Sequence, residues 1–85
     1  MTAYTITYEY DEDPLEVTEV DCAGDDAAIT AARAHLQLII EKSPMLKLAE
    51  AAVGEGAVGS GDPRWVGKWR WTNDDEETWV WLHEG

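Results

Sequence analysis

Phenylalanine is absent from this 85-residue chain, cysteine occurs once, proline three times, and only six residues are Lys or Arg. Each scarcity excludes something. The lone Cys22 cannot form a disulfide within the chain, which suits a reducing compartment. No apolar run approaches the ~20 residues needed to cross a bilayer. Met1-Thr2-Ala3-Tyr4 lacks the basic and apolar regions of a secretory signal, so the expected location is the cytoplasm. The shortage of cations is the strongest signal: 18 acidic residues against 6 basic ones give a net charge of −12. Such a charge turns the chain away from anionic membranes and nucleic acid and toward basic surfaces.

What is present is aromatic, with five Trp and three Tyr. The length points to one domain, 1–85, below the usual ~100–150 residues. Buried rings, each removing roughly 150–250 Å² from water, are what a core this small needs. Residues 3–10 alternate, with Tyr4, Ile6, Tyr8 and Tyr10 on one side, and read as a half-buried strand. Asp11-Glu12-Asp13-Pro14 supplies a turn. The next strand, 15–22, changes phase between Val17 and Val20, which predicts a bulge near Thr18. Val20 and Cys22 then point inward and Glu19 and Asp21 outward.

Gly24-Asp25-Asp26 starts a helix over 25–42, with Ile29, Ala32, Leu36, Ile39 and Ile40 at helical spacing. Ser43-Pro44 reads as a cap followed by Pro at the first helical position, predicting a second helix over 44–53. Four glycines make 54–63 a loop, and no GxxxxGK pattern lets it cradle a phosphate. Trp65, Trp69 and Trp71 share one parity, and Trp79 and Trp81 share another run across the turn Asn73-Asp74-Asp75-Glu76-Glu77. Pairing Thr72 with Thr78 makes a hairpin of 64–72 and 78–84 with four indoles on one side. The expected fold is α+β, order β-β-α-α-β-β: a four-stranded antiparallel sheet of two hairpins with two helices on one face.

No catalytic constellation is legible. Cys22 occupies an inward strand position, where a thiol behaves as a small hydrophobe, and its spacing implies no pairing with His35 or His83. Carboxylates are abundant, but nothing marks one pair for acid–base work. The turn at 73–77 offers oxygen ligands without EF-hand spacing, and no zinc spacing exists. The chain is therefore read as a non-enzyme, with no metal and no cofactor. Arg64-Trp65-Val66-Gly67-Lys68-Trp69-Arg70-Trp71 interleaves cations with indoles as single-strand binders do. The overall field and the inward parity of the indoles argue against direct nucleic-acid binding.

The acidic surface remains. Residues 1–26 hold nine acidic groups and no basic one, and residues 73–85 hold five more. Interspersed lysines would be the usual composition of a merely solvating surface. Outward residues on one strand lie ~6.6–6.8 Å apart, so two neighbouring acidic segments can imitate the line of phosphates on a duplex. The candidate partner-binding residues are Glu9, Asp11, Glu12, Asp13, Glu16, Glu19 and Asp21, joined by Asp74, Asp75, Glu76 and Glu77.

In length, charge and lack of catalytic motifs the chain resembles small acidic phage-encoded inhibitors, the anti-CRISPR proteins and anti-restriction DNA mimics. The run from Val17 to Leu36 (VTEVDCAGDDAAITAARAHL), followed by the Trp-rich hairpin, carries the nearest likeness. The resemblance implies an inhibitor that covers the basic nucleic-acid-binding surface of a CRISPR effector subunit in a bacterial host cell, and it assigns no individual contact residue. Two other readings stay open: a small structural or assembly domain, homodimeric through the outward pair Val80 and Leu82, and a toxin-neutralising immunity protein.

Overall fold

The alternation of the first strand carries straight into the structure, a computed structural model that describes residues 1–10, 13–59 and 61–83, and the side chains of all these but 13–15. Among the described residues, β1 (Thr2–Tyr10), β2 (Asp13–Cys22), α1 (Asp25–Lys42), β3 (Leu48–Glu55), β4 (Arg64–Asn73) and β5 (Glu77–His83) follow one another. The strands form one antiparallel sheet in the order β2-β1-β3-β4-β5, so α1 carries the chain across β1 from one edge toward the middle.

The expected four-stranded sheet with two helices is thereby corrected to five strands and one helix, in the order β-β-α-β-β-β. The segment 44–53, expected as a helix, supplies the central strand β3 instead. Leu48-Ala49-Glu50-Ala51-Ala52-Val53 has strong helical propensity, yet propensity is a weak prior against tertiary packing. Position decides it. Ala51 lies between Tyr8 of β1 and Trp69 of β4, and Ala49 between Tyr10 and Trp71. Both alanines are fully buried beneath α1, so large rings on the flanking strands interlock over small side chains on the middle one. Ser43-Pro44 closes α1 rather than opening a second helix: Ser43 N–H donates to Ile40 O at 3.1 Å, and Leu46 N–H to Ser43 O at 3.1 Å.

The core joins Tyr4, Ile6, Tyr8, Val53 and Trp71 of the sheet to Ala28, Ala32 and Leu36 of α1. Those three recur every fourth residue, the stripe a helix presents to a sheet. Two bulges depart from the sequence reading. In β2 the register runs from Tyr8↔Glu16 to Tyr10↔Asp13, so the extra residue lies at 14–15, not near Thr18. In β4 the register runs from Val53↔Gly67 to Gly54↔Trp65, leaving Val66 as the extra residue. Trp65 is consequently thrown to the side away from α1, where it is 43% exposed, rather than sharing the side of Trp69 and Trp71. Thr72 does pair with Thr78, which sets Trp71 beside Trp79 and Trp69 beside Trp81 on the helix side.

Candidate interaction surface

The sheet has two sides, and the register distributes the acidic residues between them. Glu9, Glu19 and Asp21 lie on the open side, away from α1, and are exposed. Glu16 lies on the helix side, where its Oε2 accepts the Tyr10 hydroxyl at 2.7 Å. Glu19 Oε1 accepts Val58 N–H at 2.9 Å and so ties the loop after β3 to the edge strand. Asp13 begins β2; Asp11 and Glu12 lie outside the described residues. Asp74, Asp75 and Glu76 form the exposed β4–β5 turn and Glu77 opens β5. The acidic candidates are thus divided over two sides and one end, not gathered on one face.

Only part of the set shares one end of the sheet, since Glu19 and Asp21 lie toward the other end of β2. Tyr10 and Asp13, which flank the first turn, stand at the same end as Asn73 and Glu77, because Tyr10 aligns with Ala49, Ala49 with Trp71, and Trp71 with Trp79. The midlines of the β2–β1 and β4–β5 pairs are three strand spacings apart, about 14 Å. Lys42, in the last turn of α1, stands at this end on the helix side, opposing the negative end of the helix dipole.

Three of the six cations pair with carboxylates outside the candidate set. Among the described residues Arg64 pairs with Asp25 (2.8 Å) and Glu55 (3.2 Å), while Lys68 (3.2 Å) and Arg70 (2.9 Å) both reach Glu50 Oε2. None of these pairs uses an acidic candidate named above. Burial pushes the Glu50 carboxyl up, but the hydrogen bonds from Arg70 and Lys68 outweigh it and hold the group below its ordinary value. Glu50 and Glu55 belong to β3, and both are neutralised on the spot.

Comparison with protein-family models, with curated proteins and with solved structures finds no match. The chemistry must therefore be read from the residues.

Two polar clusters bind the sheet to the helix. Tyr4 donates its hydroxyl to Asp25 Oδ1 at 2.6 Å, and Arg64 donates to the same oxygen at 2.8 Å. The hydrogen bond from Tyr4 is the main reason the Asp25 carboxyl is held low, with Arg64 adding to it. The same bond, reinforced by burial and the nearby carboxylate charges, pushes Tyr4 up to about 12. Farther along α1, the Tyr8 hydroxyl and His35 Nδ1 are 2.7 Å apart. Burial, then the charge of Glu16, raises Tyr8 well above its ordinary value. A Tyr raised in this way is a weaker acid and stays protonated, and each hydroxyl already has its partner. Both clusters read as cross-braces. Among the described residues no group of three His, Cys, Asp or Glu is arranged to hold a metal ion, and Cys22 is buried.

The sequence reading missed two features. Arg33 lays its guanidinium 5.2 Å from the Trp69 ring centroid and 4.9 Å from that of Trp79, and Trp69 Nε1 donates to Ile29 O at 2.8 Å. Arg33 falls outside the apolar spacing of α1, and nothing local says which strand its side of the helix overhangs. The Arg64–Asp25–Tyr4 link joins residues 39 and 21 positions apart, beyond the reach of any local pattern.

Proposed function

We propose that this chain is an acidic protein-binding inhibitor that occupies a basic nucleic-acid-binding surface in place of DNA, in the manner of the anti-CRISPR proteins it resembles. A CRISPR effector subunit is the partner this reading names. The observation that carries it is that the Tyr10–Asp13 end of the β1–β2 pair and the acidic turn 74–77 of the β4–β5 pair stand at one end of the sheet. Their spacing of about 14 Å is close to the ~12 Å width of the major groove, so a protein built to straddle phosphates across that groove meets carboxylates at comparable separation. Glu9, Glu19 and Asp21 extend the charge along the open side. Three of the six cations in the chain pair with Asp25, Glu50 and Glu55, none of them a candidate contact residue.

The test is capture from CRISPR-bearing bacterial cells, followed by competition between the chain and duplex DNA for the captured protein. One variant set reverses Asp74, Asp75 and Glu76 to Lys; a second reverses Glu9, Glu19 and Asp21. Reversal of Glu41, Asp26 and Asp62 is the control, since Glu50 and Glu55 are ion-paired and unsuitable. Each exposed contact contributes only ~0.2–1 kcal/mol, so the sets and not single substitutions decide. The expected result is a DNA-competitive complex that weakens with salt and with either acidic set. Capture of no nucleic-acid-binding protein, or equal loss from the control set, would refute the reading.

A further inference from the structure

The two edges of the sheet are unlike. An edge strand presents unpaired N–H and C=O groups, and proteins defend it with proline, bulges and charge. The β2 edge has all three: Pro14, a bulge at 14–15, and Glu16, Glu19 and Asp21 along its length. The β5 edge has none of them between Thr78 and Leu82. Its pairing with β4 is unbroken from Asn73↔Glu77 to Gly67↔His83, and the central run is Trp79-Val80-Trp81-Leu82. The backbone of α1 packs over β1 to β4 and does not extend over β5, where Arg33 reaches the Trp79 ring. Val80 is 40% exposed on the open side, and Trp79 and Trp81 are only half-buried on the other.

We propose that β5 pairs edge to edge and antiparallel with β5 of a second copy of this chain, about a two-fold axis at Val80, continuing the sheet from one copy into the other. This inference stands apart from the inhibitor reading. The register follows from the residues. Directly opposed residues must share a side of the sheet, so the two-fold axis must pass through a residue position and not between two. An axis at Val80 uses the whole strand and sets Glu77 opposite His83 of the second copy, twice. A carboxylate then meets an imidazole at both ends of the seam. Shifting the axis to Trp79 or Trp81 sets Glu77 or His83 against an indole and leaves strand ends unpaired. In the Val80 register Trp79 lies beside Trp81 of the second copy on the helix side, a cross-strand aromatic pair of the kind that stabilises sheets. On the open side Val80 meets Val80, and Thr78 meets Leu82. The Glu77 carboxylate already accepts Trp79 Nε1–H at 3.2 Å and keeps lone pairs for the imidazole. This self-complementarity points to a second copy over an unrelated strand.

Sedimentation of the full-length chain tests the seam, with circular dichroism confirming the fold of each variant. At about 100 µM the wild type is expected to be mostly dimer, as a micromolar dissociation constant requires. Val80→Lys, which puts two ammonium groups face to face at the axis, is expected to give a folded monomer. His83→Glu and Glu77→His each oppose like groups and are expected to weaken the dimer about tenfold. The double exchange Glu77→His with His83→Glu rebuilds both pairs and is expected to recover most of the loss. A monomeric wild type would overturn the proposal. So would a dimer that survives Val80→Lys, or one broken instead by Thr7→Arg in the middle of the open side.

Discussion

Gly67 is the position where a single methyl group should cost most. Its φ of +157° is a conformation that L side chains rarely adopt, and a Cβ there would lie 2.6 Å from Leu82 O and 2.6 Å from the Trp81 ring. The backbone oxygen cannot swing away without breaking the β4–β5 ladder. Strain in the backbone costs about 1–3 kcal/mol, and overpacking adds about 1–3 kcal/mol. Gly67→Ala should therefore lose about 2–6 kcal/mol, against about 4–13 kcal/mol available to a chain of this length. Gly59→Ala is the control: its φ is +81°, but nothing lies within 4 Å of the added carbon, so it carries backbone strain alone. Urea unfolding followed by tryptophan emission gives both free energies, and about 1 kcal/mol corresponds to roughly 4–8 °C in the thermal midpoint. If Gly67→Ala loses no more than Gly59→Ala, the close approach of β5 is wrong, and with it the bulge that throws Trp65 to the open side.

The remaining predictions concern the helix seam, the central strand and pH. Ala51→Leu should cost about 1–3 kcal/mol by overpacking between Tyr8 and Trp69, while Ala52→Val on the open side should be neutral or mildly stabilising, as a strand prefers; chemical denaturation of both variants separates a strand from a helix. Arg33→Ala removes the cation from two indole faces and should cost about 0.5–2 kcal/mol with a shift in tryptophan emission. Because Tyr4 is pushed up to about 12 from 10.0, the unfolded chain loses this proton first as pH rises. Stability should fall between about pH 10 and 12, and Tyr4→Phe should flatten that limb in urea midpoints taken across the range. Glu50, held below 4.5 by its two cations, contributes in the opposite sense: its stability is present above the unfolded value and lost as pH falls through the folded one, so Glu50→Gln should shallow the acid limb.

Period-two runs of large side chains were readable without the structure. Tyr4, Ile6 and Tyr8 announced β1, and the spacing of Trp69, Trp71, Trp79 and Trp81 set the hairpin register. The spacing of Ile29, Ala32, Leu36, Ile39 and Ile40 likewise announced α1, although Ala28 and not Ile29 begins the fully buried stripe. The central strand was not readable, because its alternating positions are Ala49, Ala51 and Val53, too small to stand out against Ala52 and Glu50. Smallness there is imposed by rings on β1 and β4, which are distant in sequence. The bulge at Val66 was hidden for a related reason: one residue of phase change is invisible until Gly67 is seen to pack against Trp81. For the acidic candidates, sequence gave their density but not their division between two sides and one end, since that depends on which strands become neighbours.

The pairing of β1 with β3 has a consequence for how the chain folds. The β1–β2 and β4–β5 hairpins join residues close in sequence, but Tyr4 meets Glu55 and Tyr10 meets Ala49 across α1 and both its connections. Closing that join carries the entropy of a long loop, whereas either hairpin closes cheaply. The two halves can thus assemble independently, each with rings exposed, before Ala49, Ala51 and Val53 slot beside Tyr8 and Ile6. Non-local strand pairing is slow, so the rate at which native protein appears should follow this one join, and substitutions at Ile6 or Val53 should retard refolding more than equally costly ones within the tryptophan hairpin.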